Sequence, residues 1–230
     1  MIALLRNFRE ALHPGRPNRL RSPALAFESL DQRCLLSAGP VHAMSAHGAA
    51  ISRVLDVEHN GTVVKTPKFY EDYVGPRLAQ LNVVSATGTL LRDGNFRFLG
   101  VTQGTINPNV RATYVVGVDR SGKLPTGSFP DRPNIRFDAT VAIKIVPGKS
   151  PTVVVTDIAN KTSTTVPNSA LQIAGRSIQV VIPGSLLPST GLPPSQFRFN
   201  YWPENPDPAL TEPIASFTPE FNDAQVGAIA

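Results

Sequence analysis

The chain is short of the side chains that carry most enzyme chemistry, and each shortage closes a class of function. Among its 230 residues there is one cysteine, Cys34. No intramolecular disulfide can form, so the fold has to hold by packing alone. The four histidines, His13, His42, His47 and His59, all precede residue 60. Everything after them lacks an imidazole for a general base or a triad, and lacks a thiolate for nucleophilic attack or a tetrahedral zinc site. The two methionines are Met1 and Met44, so the same region offers neither Met nor His as an axial haem ligand. No run of about 18 apolar residues occurs, and no transmembrane helix is expected. The G-x-S-x-G, P-loop and dinucleotide fingerprints are missing too. The Gly100–Gly104 spacing sits in a strand-like stretch and carries no meaning for phosphate.

Turn-forming residues, in contrast, are plentiful. Twenty-two prolines and seventeen glycines, with charged residues at 17%, argue against a helical protein and for many short strands separated by turns. Residues 38–66 read as a flexible linker. From Pro67 to Leu81 the apolar positions Phe69, Tyr70, Tyr73, Val74, Leu78 and Leu81 suggest a short amphipathic helix interrupted near Gly75-Pro76. Strand patterns then take over. Asp93-Gly94 between two β-prone runs signals a hairpin, because both residues tolerate positive φ. Ile135 to Val146 alternates closely: Ile135, Phe137, Ala139, Val141, Ile143 and Ile145 on one side, Arg136, Asp138, Thr140 and Lys144 on the other. Further runs follow to Phe217. About ten short strands point to an all-β fold, an antiparallel β-sandwich of jelly-roll type. The expected organisation is a basic tail over 1–37, the linker over 38–66, the sandwich with its leading helix over 67–222, and a C-terminal tail over 223–230.

The charge is concentrated at the start. Before residue 34 stand six arginines (Arg6, Arg9, Arg16, Arg19, Arg21 and Arg33) against Glu10, Glu28 and Asp31; the remainder carries 16 basic and 14 acidic side chains. Nucleic-acid binding needs its charge on a folded face, interleaved with aromatics, and is therefore not expected. Met1 to Leu5 is too short for the apolar core of a standard secretory signal. Beyond the arginines lies Leu30-Asp31-Gln32-Arg33-Cys34-Leu35-Leu36. This stretch resembles the LEPR-XLL-type export and sorting motif of exported proteins from planctomycete-type bacteria. Leu30, Arg33, Leu35 and Leu36 match, Asp31 keeps the carboxylate, and Gln32 replaces the proline. The resemblance covers about a dozen residues. It implies delivery to the cell surface or the extracellular space, and nothing about chemistry.

Two candidate sites remain. Phe197-Arg198-Phe199-Asn200-Tyr201-Trp202 alternates aromatic and polar residues. An exposed Trp202 and Tyr201 beside Arg198 and Asn200 would stack on a sugar ring, whereas a Trp202 tucked beneath the Glu204–Glu212 loop would be core. This block, with the strand pattern, faintly resembles carbohydrate-binding-like and DOMON-like sandwiches of exported proteins; the missing Met and His ligands speak against the haem role of the latter. Carboxylates in turns, Asp119 and Asp223, are calcium candidates, since calcium takes carboxylate and carbonyl oxygens. No D-x-D-x-D-G series supports them, and a plain turn aspartate is the competing reading; no other cofactor is expected. Mid-strand Asp138 is the residue to watch for a hydrolase, which needs two carboxylates across a cleft. The composite expectation is an exported, non-enzymatic binding or structural module, with a surface polysaccharide or a protein as partner. A carbohydrate-binding module and a carbohydrate-active hydrolase are the alternatives.

Overall fold

The computed structural model describes residues 57–59, 61–123, 127–129, 132–210, 212–219 and 224–228. They belong to a compact unit, Arg53–Ala230. In chain order the strands are β1 (Val57–His59), β2 (Thr62–Val64), β3 (Val83–Leu90), β4 (Phe96–Thr102) and β5 (Ala112–Asp119). Next come β6 (Gly127–Phe129), β7 (Arg132–Phe137), β8 (Ala139–Ile145), β9 (Thr152–Asp157) and β10 (Thr162–Val166). The series closes with β11 (Leu171–Ala174), β12 (Ser177–Ile182), β13 (Arg198–Glu204), β14 (Ala224–Gln225) and β15 (Gly227–Ala228). One sheet runs β1-β2-β3-β4-β12-β11, with β15 also on β3; the other runs β10-β9-β8-β5-β13-β14; β6 and β7 form a separate hairpin. Among the described residues all pairings are antiparallel except β15 on β3. The chain passes between sheets at β4–β5, β10–β11, β12–β13 and β14–β15, which makes the sandwich jelly-roll-like.

The two sheets bury a common core in which β4 meets β13. Phe96 stacks on Phe197 at 5.3 Å and Phe98 packs on Phe199 at 6.1 Å. Central strand β5 is buried at every position, as expected where a sheet is covered on both faces. Its outer cover is a second apolar cluster of Val115, Ile135, Trp202, Ile214 and Phe217, with Phe137 against it. Beside β13, residues 212–219 run in extended form. Ala215 N donates to Pro203 O at 3.0 Å, and Tyr201 and Thr218 exchange backbone bonds at 2.8 and 2.9 Å. Ser216 Oγ accepts from Val83 N and donates to Leu81 O, which ties this edge to the first sheet.

The hairpin at Asp93-Gly94 forms as expected: Gly94 has φ 80°, and Leu91 N donates to Asn95 O at 2.8 Å. Four expectations are corrected. The leading helix is not a helix. Pro67, Gly75 and Pro76 break it, and Phe69 meets Tyr73 at 5.8 Å across a turn; one 3-10 turn follows at Ala79–Leu81. The linker does not reach residue 66, because β1 and β2 pair with His59 opposite Thr62, and Gly61 has φ 75°. Asn-Gly is among the strongest hairpin signals. The tail from 223 contributes β14 and β15, and Val226 between them is buried. Finally, the alternating run from Ile135 is two strands broken at Asp138. Ile135 and Phe137 keep the parity of Val141 and Ile143 but serve the outer cluster, not the sandwich core.

Candidate functional site

Strand β13 separates the sugar-binding candidates by pleat. Phe199 and Tyr201 point into the sandwich, while Trp202 belongs to the outer cluster. Tyr201 is 2% exposed and Trp202 3%. The Tyr201 ring crosses the core to rest on β4, so close that a Cβ on Gly100 would lie 2.2 Å from its Cζ. Trp202 stacks on Phe217 at 5.2 Å with 5° between planes, and Phe137 tilts against it at 5.4 Å. The aromatic platform is therefore corrected: Phe137 of β7 and Phe217 of the 212–219 segment take up the faces a sugar would need. Asn200 is fully buried, with its Nδ2 donating to Pro219 O at 3.4 Å. Arg198 is exposed, at the register of Asp119.

Asp119 ends β5 in a turn. Its Oδ1 accepts from Ser121 N at 3.0 Å, Ser121 Oγ at 3.2 Å and Gly122 N at 2.9 Å. Three local donors on one oxygen explain an aspartate there without a metal. Its Oδ2 is buried without a hydrogen-bond partner. No group of three or more potential metal ligands gathers among the described residues. Asp223 and the motif residues Leu30, Asp31, Arg33, Leu35 and Leu36 lie outside the described residues.

Asp138, the carboxylate singled out in mid-strand, belongs to a different arrangement. It sits at the β7–β8 break, where its Oδ1 receives Arg120 Nε at 2.8 Å and Arg120 N at 3.2 Å. Its Oδ2 receives Thr190 Oγ1 at 2.6 Å. Arg120 Nη1 donates to Asp157 Oδ2 at 3.1 Å and to Pro188 O at 3.2 Å, and Nη2 to Asp138 O at 3.3 Å. Arg120 is 0% exposed. Burial disfavours the guanidinium charge, but the hydrogen bonds and charges of Asp157 and Asp138 outweigh it and raise the pKa. Burial likewise works against the Asp157 carboxylate, yet the bonds from Arg120 and Asn160 win and hold it below the usual range. The clamp joins β5, β8, β9 and the 188–192 loop, which also donates Leu192 N to Arg120 O at 2.8 Å. A carboxylate that accepts three hydrogen bonds, one of them from a buried arginine side chain, is spent on structure.

A second acidic corner was not foreseen. On the outer face the register aligns Glu204, Thr113, Lys144 and Thr152 in one row across four strands. Glu204 Oε1 accepts Trp202 Nε1 at 2.8 Å. Burial raises its pKa first, and the Glu212 charge raises it further, against the Trp202 bond and Lys144. Glu212 itself accepts Ile214 N at 2.8 Å. A carboxyl whose pKa is raised by burial and by a second carboxylate is the kind of group that can serve as a general acid.

No family model matches this chain, and no curated protein does either. The fold and the side-chain geometry therefore carry the functional reading by themselves. Arg120 was missed because its partners lie 18 and 37 residues away in sequence. The available signal was the charged Asp119-Arg120 pair closing an otherwise apolar strand.

Proposed function

We propose that the chain is an exported β-sandwich module of the cell surface or extracellular space, with a binding or structural role and no catalysis of its own. The observation that carries this reading is where its conspicuous residues are spent. The Arg120–Asp138–Asp157 clamp and the covered Trp202 stiffen a sandwich whose described part has no cysteine to cross-link it. Rigidity without disulfides suits a module that must stand alone outside the cell. Delivery rests on the resemblance at Leu30, Asp31, Arg33, Leu35 and Leu36. The test is fractionation of bacteria expressing the full chain or the triple variant Arg33→Ala, Leu35→Ala, Leu36→Ala. The expected result is wild-type protein in the envelope or medium and the variant held in the cell. Equal distribution of the two overturns the export reading.

The Glu204–Glu212 corner favours a second reading, a carbohydrate-active hydrolase in which Glu204 is the acid. Release of reducing ends from a panel of surface polysaccharides, abolished by Glu204→Gln, would displace the non-catalytic reading. No release from any of them leaves that reading in place.

A further inference from the structure

The two sides of the sandwich are finished differently. On one side residues 212–219 and 224–228 pair with β13 and β3, and Ser216 bridges the sheets. On the other side the chain crosses between sheets through Pro167–Ala170, and among the described residues β10 is the end strand of its sheet, with β9 as its one neighbour. Thr162, Ser163, Thr164 and Thr165 are all exposed, and only Val166 reaches the core. An end strand presents unpaired N–H and C=O groups, and proteins normally blunt such edges with charge, proline or a bulge inside the strand. Here the charge and the proline, Lys161 and Pro167, stand just outside it.

We infer that β10 is a pairing edge whose occupant is β10 of a second copy, antiparallel about a twofold axis at Thr164. That register is self-complementary. Ser163 faces Thr165 of the second copy, Thr162 faces Val166, and each Lys161 faces a Pro167, so no two charges of like sign meet. The protein already uses such contacts: Thr156 and Ser163 are cross-strand partners with hydroxyls at 3.0 Å, as are Thr62 and Thr87. Cross-strand hydroxyl pairs of this kind stabilise antiparallel neighbours. Pairing doubles the six-stranded sheet and leaves both cores untouched. Lys161, at φ 55°, and Pro167 limit the contact to five residues. The association is accordingly weak, since so short a contact falls at the small end of specific interfaces.

The experiment uses the purified full chain carrying Cys34→Ser, so that oxidation cannot link copies. It needs no export, and its outcome is independent of that reading. Sedimentation equilibrium up to about 1 mM should find a monomer–dimer equilibrium for this protein. Thr164→Lys and Thr164→Glu each set two like charges on the axis and should weaken dimerisation at least tenfold. Their equimolar mixture should restore it. Far-UV circular dichroism should be unchanged, because the position is exposed. A protein that stays monomeric throughout overturns the proposal, as does dimerisation that neither variant weakens or that mixing does not restore.

Discussion

Replacing Arg120 by methionine puts the clamp to the test. The guanidinium makes four side-chain hydrogen bonds, to Asp138 Oδ1, Asp138 O, Asp157 Oδ2 and Pro188 O. Methionine fills much of the volume but leaves two carboxylates facing each other's field without a cation. Breaking a buried pair by removing one partner costs about 3–5 kcal/mol. The lower end applies here, since Asp157 keeps two bonds from Asn160 and Asp138 keeps those from Thr190 and the Arg120 amide. A loss of about 3 kcal/mol lowers the melting temperature by roughly 6–12 °C in a domain of this size. The pH dependence separates charge from packing. In the wild type the folded pKa of Asp157 is lowered, so its stabilisation is present above the unfolded value of about 3.9 and is lost as pH falls through the folded value. In the variant the cation is gone and only the Asn160 bonds oppose burial, so the folded pKa of Asp157 rises relative to the wild type and the destabilisation shrinks as pH drops from 7 toward about 4. Urea unfolding followed by the fluorescence of the single tryptophan, Trp202, reports both quantities. A loss under about 1 kcal/mol at pH 7, the scale of a surface pair, or a loss that does not change with pH, refutes the clamp.

Three other substitutions bear on the same picture. Trp202→Ala should cost about 3–5 kcal/mol by opening a cavity between Phe137 and Phe217, measured by calorimetry, and should leave retention on polysaccharide columns unchanged. Tyr201→Phe removes a buried hydroxyl without a partner and should be neutral or stabilising by about 1 kcal/mol in urea melts; a clear destabilisation would mean the hydroxyl is bonded. Glu204→Gln tests the acidic corner. Because the folded pKa of Glu204 is raised, the wild type is most stable below the unfolded pKa and loses that advantage as pH rises through the folded value. The glutamine variant should therefore gain stability over wild type at pH 7, with the gain fading toward about pH 4, in melts run across that range.

The residues that were legible in advance are those whose information is local, and the misreadings follow from the same fact. Asp93-Gly94 announces its hairpin because two adjacent residues suffice to set the turn, and Asn60-Gly61 carries the same signal, overlooked among the Ala, Gly and Ser of its surroundings. Alternation is local too, but it reports only which side of a strand is apolar. It cannot say which of two apolar layers covers that side, so Ile135 and Phe137 read as one series with Val141 and Ile143 across the break at Asp138. Trp202 fails by the same logic. On a two-layer sandwich the residue opposite Tyr201 faces water, and a ligand role follows naturally. Here a third layer, built from Ile135 and Phe137 of β7 and from residues 212–219, covers it. That layer comes from segments whose own patterns are weak: Ile214 to Thr218 forms two isolated bridges instead of a ladder. The Arg120 clamp lies furthest from view, since its chemistry exists only once β5, β8 and β9 are side by side. Asp138 is therefore conspicuous in the sequence for the very reason that it is structural: an acid in an apolar alternating run must be paired or neutralised, and the partner here is an arginine 18 residues upstream.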